Sequence, residues 1–213
     1  MVQNNKYTFS FTGASALIAE TLVIAEEYEK LKDWQAVEKS VLEHNLLNKI
    51  KQATFKREFS ELKKRLILLT PAQLHLMING SFDEAKAMVL LALLKFYAIL
   101  KDFIVEVLLN KYLLFDNVLT ETDYTRFINS KSSSHPELIA ITDNTAKKVK
   151  QVMFKLLEQV GLITHAKNGI ILKPVLSNEV LVAIILDDPA LLSSFLYSSE
   201  EIKSLLLKLN HAQ

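Results

Sequence analysis

Apolar side chains recur at helical spacing along most of the chain, and capping residues and glycines separate the helical stretches. One apolar stripe lies within residues 54–69 and consists of Phe55, Phe59, Leu62, Leu66 and Leu69. Residues that favour helix N-termini precede other stretches, namely Asp33, Thr70, Ser81, Thr120, Ser177 and Ser198. Ser81 and Glu84 form a capping box before a long, almost wholly apolar stretch. These patterns predict a mainly α-helical fold with that long helix at its centre.

The long apolar stretch invites comparison with a membrane span. Its longest uncharged run, residues 87–94, has eight residues, whereas a spanning helix needs about 20 apolar residues. We therefore expect buried helices of a globular core. A bend or break is expected near Lys101 and Asp102, where charges interrupt the apolar pattern.

A helix followed by a tight hairpin is predicted within residues 143–174. Asp143 and Asn144 are expected to cap the helix, and Gly161 suits a left-handed residue after its C-terminus. Its buried face is formed by Val149, Val152, Leu156 and Val160. Two short apolar segments then flank Asn168-Gly169, a dipeptide typical of a type I′ turn. A helix followed by a hairpin is the outline of a winged helix.

Residues 131–136 are the best linker candidate, because three serines and a residue before proline disfavour continuation of a helix. We therefore predict two domains. Residues 1–132 form an N-terminal helical bundle. Residues 133–213 form a winged-helix-like C-terminal module with one short β-hairpin and trailing helices.

Composition narrows the class of protein. Of the 213 residues, 50% are hydrophobic and 23% are charged, which is typical of a folded domain rather than a disordered chain. The chain has no cysteine, so disulfides and thiolate zinc sites are excluded. Residues 1–10 lack the apolar core of a signal peptide. We accordingly expect a cytoplasmic protein.

Charge is distributed unevenly along the chain, although the formal net charge is only +1. Residues 45–66 hold seven Lys and Arg against two Glu, and residues 142–174 hold six Lys against one Asp and one Glu. The remaining residues are net −8. Clustered positive charge is typical of a surface that meets a polyanion. The alternative is that the two basic clusters are ordinary solvated helix faces.

Catalytic motifs are missing from the sequence. There is no GxxxxGK[ST], GxGxxG or HExxH pattern, and the five histidines fall in separate predicted elements. The four glycines each fit a turn or a helix boundary. We therefore expect no enzymatic activity, no cofactor and no metal site.

Several segments resemble the pattern of the BrxA family, whose members are small components of bacterial BREX phage-defence systems. They are YTFSFTGAS at residues 7–15, Asp33-Trp34, HPEL at 135–138, VMFKLLEQVGL at 152–162 and DDPALL at 187–192. The resemblance implies a cytoplasmic, mostly helical protein that binds double-stranded DNA. It also implies action beside the methyltransferase, protease-like and ATPase components of such a system.

Candidate DNA contacts follow from the winged-helix outline. The second helix of a helix-turn-helix enters the major groove with its N-terminal residues nearest the bases, and the wing contacts the backbone. The predicted helix contacts are Asn144, Thr145, Lys147, Lys148, Gln151 and Lys155. Lys167 in the hairpin and Lys173 after it are predicted to contact phosphates.

A second phosphate-contacting surface is predicted in the N-terminal bundle. Its candidate residues are Lys49, Lys51, Lys56, Arg57, Lys63 and Lys64. Lysine suits sequence-tolerant attraction to phosphates. Because only Arg57, Arg65 and Arg126 could read guanine in a bidentate way, we expect limited sequence specificity.

Two other functions stay open at this level. The chain could be a scaffold that docks other BREX subunits through exposed aromatic anchors, for which the candidates are Trp34, Tyr97, Tyr112 and Phe115. The N-terminal bundle could instead bind RNA, although no aromatic strand motif supports this. A homo-oligomer is possible, since helix-turn-helix proteins often pair.

Overall fold

A computed structural model describes residues 6–211, apart from the side chains of residues 210 and 211; the first five residues of the segment compared with a signal peptide lie outside it. The described chain is mainly helical, as predicted. Its α-helices are α1 Ile18–Leu31, α2 Trp34–Glu43, α3 Gln52–Leu66, α4 Pro71–Asn79, α5 Phe82–Phe96, α6 Ala98–Phe103, α7 Asn110–Leu113, α8 Glu121–Lys131, α9 Glu137–Ala140, α10 Asp143–Gln159, α11 Asn178–Ile185 and α12 Ser199–His211. Three further helical segments are a 3-10 helix Ser10–Gly13, a π-helix Ile104–Leu109 and a 3-10 helix Pro189–Phe195.

Most helix starts follow the capping pattern in the sequence. The Asp33 carboxylate accepts the Ala36 N–H at 2.7 Å at the start of α2. Ser81 and Glu84 exchange side-chain and backbone hydrogen bonds at the start of α5, so the predicted capping box is confirmed. Three more predicted caps are also confirmed, those of Thr70, Thr120 and Ser177.

The apolar centre breaks at a different residue from the one expected. Helix α5 ends at Phe96, and the next residue, Tyr97, has an extended backbone with φ −107° and ψ 95°. Lys101 and Asp102 lie inside α6, so the break expected near them is found a few residues earlier in the chain. The side chain of Tyr97 is fully buried, and its hydroxyl donates to the Glu61 carboxylate in α3. This tertiary contact holds the break at Tyr97, and no local sequence signal marks it.

The N-cap of helix α10 lies one residue earlier in the chain than predicted. Thr142, not Asp143 or Asn144, is the N-cap, and its hydroxyl accepts the Thr145 N–H at 3.3 Å. The C-terminal prediction is confirmed, because Gly161 has φ +81°. The Leu162 N–H bonds the Leu157 carbonyl at 2.9 Å in the Schellman arrangement.

Beyond α10, the described chain forms isolated antiparallel bridges rather than named strands. Ile163 pairs with Ile171, and Val118 pairs with Ile170. The predicted type I′ turn is absent, because Asn168 has a positive φ of 52° and Gly169 does not. The Gly169 carbonyl instead accepts the Leu119 N–H at 3.0 Å, so pairing with residues 117–119 shapes this loop.

One apolar core cluster contains buried side chains from both predicted domains, from Tyr7 to Leu196. The N-terminal segment contributes to it, because Tyr7 and Phe11 are buried while Thr8 and Ser10 are exposed. The division at residues 132 and 133 stays a prediction. None of the helices in the described part of the chain is both long enough and apolar enough to cross a membrane.

Candidate nucleic-acid interface

The outer face of α10 carries most of the predicted helix contacts. Apolar residues at helical spacing bury the other face, including Val149, Met153 and Leu156. The predicted contacts that are exposed are Asn144, Lys147, Lys148, Gln151 and Lys155. Thr145 is half-buried, and its hydroxyl lies 3.0 Å from that of the capping residue Thr142. The sequence pattern therefore identified one polar helix face.

The predicted contacts of the N-terminal bundle fall into two groups. Lys51, Lys56 and Arg57 are exposed at the start of α3. The others have partners. Lys49 lies 3.0 Å from both the Glu20 and Glu58 carboxylates. Two more of this group lie farther along α3: Lys63 stands 5.6 Å from the ring centroid of Trp34, and Lys64 stands 3.5 Å from Glu61.

The contacts predicted beyond α10 also differ from each other. Lys167 is exposed in the loop between the bridged segments. Lys173 is half-buried, pairs with Glu201 of α12 at 2.5 Å, and lies 4.1 Å from the ring centroid of Tyr197. Its charge is therefore already compensated, whereas that of Lys167 faces solvent.

A subset of the predicted cations makes no ion pair with any carboxylate among residues 6–211. They are Lys51, Lys56, Arg57, Lys147, Lys148 and Lys167. Lys155 has a partner, Glu158, at 3.0 Å on the same helix, but its side chain is 54% exposed. An exposed pair of this kind contributes little and exchanges readily with a stronger anion.

The N-terminal loop brings the two basic segments together. Residues 12–17 lie between α3 and α10 and, with both helices, enclose an open groove of about 320 Å³. Its lining residues are Thr12, Gly13, Ala14, Ser15, Leu17, Glu58, Lys148, Gln151, Val152 and Lys155. The guanidinium of Arg57 crosses the loop beside Gly13, where an added Cβ would lie 3.5 Å from Arg57 Nε. Segments about 90 residues apart in the chain therefore share one surface.

A buried ionic network holds this loop in place. Arg65 is 1% exposed, and its guanidinium donates to the carbonyls of Ala14 and Ser15, the latter at 2.7 Å. It also donates to the Tyr97 hydroxyl at 3.0 Å, and that hydroxyl donates to Glu61. A buried guanidinium whose donors are satisfied in this way fixes the loop backbone rigidly.

Electrostatics within the network favour charged Glu61. Burial alone would raise the pKa of the Glu61 carboxyl, but hydrogen bonds from Ser10 and Tyr97 and the charge of Arg65 outweigh it. The pKa of Glu61 is therefore lowered from its ordinary value. Burial also raises the pKa of the Tyr97 hydroxyl, so Tyr97 stays a neutral donor.

The sequence-based prediction for Arg65 was wrong. Arg65 was considered for guanine recognition, but it is buried and cannot reach a ligand at the surface. Helical spacing contained the signal, because Glu58, Leu62 and Arg65 continue one face of α3. The loop residues Thr12, Gly13 and Ser15 were not predicted at all, since only tertiary packing places them beside α10.

Comparisons with known proteins agree with this fold and with the resemblance of the sequence to the BrxA family. The sequence model of the BrxA family matches residues 5–186. This chain belongs to the BrxA family. A BREX protein BrxA from Escherichia coli O9:H4 (strain HS) is 27% identical over 164 residues, which are 76% of this chain and 77% of that protein. Another from Bacillus cereus (strain H3081.97) is 25% identical over 182 residues, 84% of this chain and 90% of that protein.

A solved structure shares the fold of this BrxA family member. The crystal structure of an uncharacterized protein from Magnetospirillum magneticum aligns with a TM-score of 0.75 and 21% identity. The alignment covers 91% of this chain and 100% of that chain. BrxA membership makes this chain a component of a BREX system, and the family match includes the N-terminal loop, α3 and α10.

Proposed function

We propose that this chain is a non-enzymatic, double-stranded-DNA-binding component of a BREX phage-defence system and acts in the cytoplasm. The observation that supports this function best is the shared groove of α3, the N-terminal loop and α10. Two basic segments that are far apart in sequence meet there. Among the described cations without a carboxylate partner, Lys148 lines the groove and Arg57 lies beside it at Gly13. Convergence of unpaired cations on one surface is what a phosphate backbone requires.

The arrangement around α10 is compatible with a winged-helix-like mode of binding. Helix α9 and the turn at Ile141 and Thr142 precede α10, as the first helix and turn of a helix-turn-helix would. The bridged segments that follow, with Lys167 between them, occupy the place of a wing. In this proposal α10 presents Asn144, Lys147 and Gln151 to the major groove.

Sequence specificity is proposed to be limited. Lysines dominate the exposed cations, and lysine attracts phosphates without the bidentate geometry that reads guanine. Arg57 lies beside the groove-lining Gly13, and Arg65 is buried. Most of the affinity is therefore expected from phosphate contacts that are independent of base sequence.

Salt dependence of binding tests this function directly. If about six cations neutralise phosphates, the log-log slope of affinity for duplex DNA against salt should be about −5. Fluorescence anisotropy with duplex DNA, single-stranded DNA and RNA at several salt concentrations gives that slope. A slope near zero contradicts the proposal, and tighter binding of RNA than of duplex favours the RNA alternative.

A matched pair of variants locates the binding surface. Lys147→Glu combined with Lys148→Glu should lower affinity for every duplex by at least about tenfold and flatten the salt slope by about 2. Lys30→Glu combined with Lys39→Glu changes the net charge equally at exposed positions of α1 and α2. Equal losses in both double variants would show that overall charge, and not this surface, governs binding.

An exposed apolar patch favours a second function, docking of another BREX component. Phe115 is 88% exposed, and Leu114 beside it is 78% exposed. Val118 and Ile170, which pair across an antiparallel bridge, are also exposed. Clustered exposed apolar side chains often mark protein interfaces. Of the four candidate anchors, Phe115 is exposed, whereas Tyr97 is buried and Trp34 and Tyr112 are half-buried.

A separation-of-function experiment tests the docking proposal. Leu114→Ser combined with Phe115→Ser should leave duplex affinity unchanged but reduce phage restriction in cells that carry the complete BREX system. The opposite result, full restriction by the double variant, would remove the patch from the function.

A further inference from the structure

The N-terminal loop has a fixed backbone orientation beside the groove. Arg65 fixes this orientation, because its guanidinium donates to two consecutive carbonyls, those of Ala14 and Ser15. The described chain has no cis peptide bond. In a trans peptide unit the C=O and N–H point in opposite directions. Since both carbonyls point inward to Arg65, the N–H groups of Ser15 and Ala16 point outward.

These two outward N–H groups have different partners. The Ala16 N–H donates to the Gln159 side-chain oxygen of α10 at 3.3 Å, which ties the loop to that helix. The Ser15 N–H has no acceptor among the described residues, and Ser15 lines the groove. A backbone donor of a groove-lining residue therefore points away from Arg65, with its direction fixed by a buried ionic network.

Cationic side chains surround the same space. Lys148 and Lys155 line the groove from α10, with the Gln151 amide between them. Arg57 lies across Gly13 at the loop. One carboxylate, Glu58, is also in the lining, and it shares the Lys49 ammonium, at 3.0 Å, with Glu20. The groove therefore offers the ammonium groups of Lys148 and Lys155, the Gln151 amide and the Ser15 N–H to one occupant.

We propose that the N-terminal loop is a third DNA-contacting element, and that one phosphodiester group of the duplex backbone occupies this groove. This inference rests on the proposed DNA-binding function and adds its phosphate subsite. Lys148 and Lys155 supply charge, and the Ser15 N–H donates to a phosphate oxygen. Arg65 and Glu61 do not touch the DNA and act as positioning residues for the loop.

Two groups would hold the same phosphate from opposite sides. The loop forms the N-terminal wall, with Arg57 beside it at Gly13, and Lys148, Gln151 and Lys155 form the α10 wall. A phosphodiester between the walls neutralises charge that both contribute, so the bound state strengthens their contact. Free phosphate has the same chemistry, and the experiment must separate these two sources.

Substitution at Gly13 tests the subsite without touching a lysine. Its backbone is not in the left-handed region, and an added Cβ would make only ordinary contacts of 3.5 Å or more with Arg57. Gly13→Asp places a carboxylate beside Arg57 and the groove. We expect an affinity loss for duplex DNA of about tenfold and a salt slope flatter by about 1.

Two control variants isolate the effect of charge in the groove. Gly13→Ala makes the same backbone change without a charge, so the difference in duplex affinity between Gly13→Asp and Gly13→Ala is the effect of the carboxylate. Ser204→Asp adds the same charge at an exposed position of α12, and its affinity should change by less than about twofold. Thermal melts of all three variants establish that they are folded.

The amide of Ser15 supplies a second readout that needs no variant. In the ¹⁵N-labelled natural chain, titration with duplex DNA should move the Ser15 amide proton downfield, because it gains a charged acceptor. A parallel titration with inorganic phosphate should move it much less at the same phosphate concentration.

The outcomes distinguish this inference from the proposed function. If duplex binds with a steep salt slope but Gly13→Asp equals Gly13→Ala and the Ser15 amide does not move, the subsite is refuted and DNA binding stands. If the natural chain does not bind duplex, both fall. If inorganic phosphate moves the Ser15 amide and duplex does not, the groove takes free phosphate and the inference is overturned.

Discussion

Replacing the buried Arg65 by methionine should destabilise the fold severely. Methionine keeps the unbranched aliphatic part of the side chain but removes every donor, so the carbonyls of Ala14 and Ser15 lose their partner. Glu61, which is 5% exposed, loses the guanidinium that favours its charge. Breaking a buried ionic network from one side costs about 3–5 kcal/mol. We expect a loss of that size in the free energy of unfolding.

Urea denaturation followed by circular dichroism measures this loss. Arg57→Met is the matched control, because Arg57 is on the same helix, is exposed and makes no ion pair within the described chain. It should change the free energy of unfolding by less than about 0.5 kcal/mol. Combining Arg65→Met with Glu61→Gln should cost less than the sum of the single variants, by about 0.5–3 kcal/mol.

The result that would refute this reasoning is a small effect. A loss below about 1 kcal/mol for Arg65→Met would mean that the network is not a structural support of the loop. Additive effects of Arg65→Met and Glu61→Gln would mean that the two charges do not interact in the folded state.

Two further predictions concern stability. Gly161→Ala should lower the free energy of unfolding by about 1 kcal/mol, because Gly161 has φ +81°; Gly13→Ala, without a positive φ, should cost clearly less in the same urea titration. Burial opposes ionisation of Asp187, but hydrogen bonds from Lys95 and Gln73 lower its pKa. Its contribution is therefore fully present above the ordinary aspartate pKa of about 4 and is lost as pH falls below that value. In urea titrations across this pH range, the free energy of unfolding should fall less with decreasing pH in Asp187→Asn than in the natural chain. Identical pH profiles of the two proteins would contradict the assignment of this effect to Asp187.

Local chemistry made much of the fold predictable from sequence. Capping residues such as Asp33, Thr70 and Ser81 form hydrogen bonds within a few residues of themselves, so their effect does not depend on tertiary contacts. The polar face of α10 and the left-handed Gly161 were predictable for the same reason. Even here Thr142 replaced Asp143 as the cap, because neighbouring residues with similar capping ability compete.

Features that depend on tertiary contacts were not predictable. The break at Tyr97 after α5 follows from a bond to Glu61 in another helix. The turn at Asn168 and Gly169 differs from the predicted type I′ turn because residues 117–119 pair with the following segment. The convergence of α3 and α10 on one groove needs the packing of the N-terminal loop, which a pattern of charge along the chain does not contain.

The two anchors of the N-terminal loop have consequences for how the protein matures. Ser15 reaches Arg65 across 50 residues, whereas Ala16 reaches Gln159 across 143 residues. During synthesis on a ribosome the first anchor is available early, and the second only after Gln159 has emerged. A nascent chain therefore exposes basic α3 before its opposite wall exists, so the groove between the two helices is complete only once α10 has been synthesised.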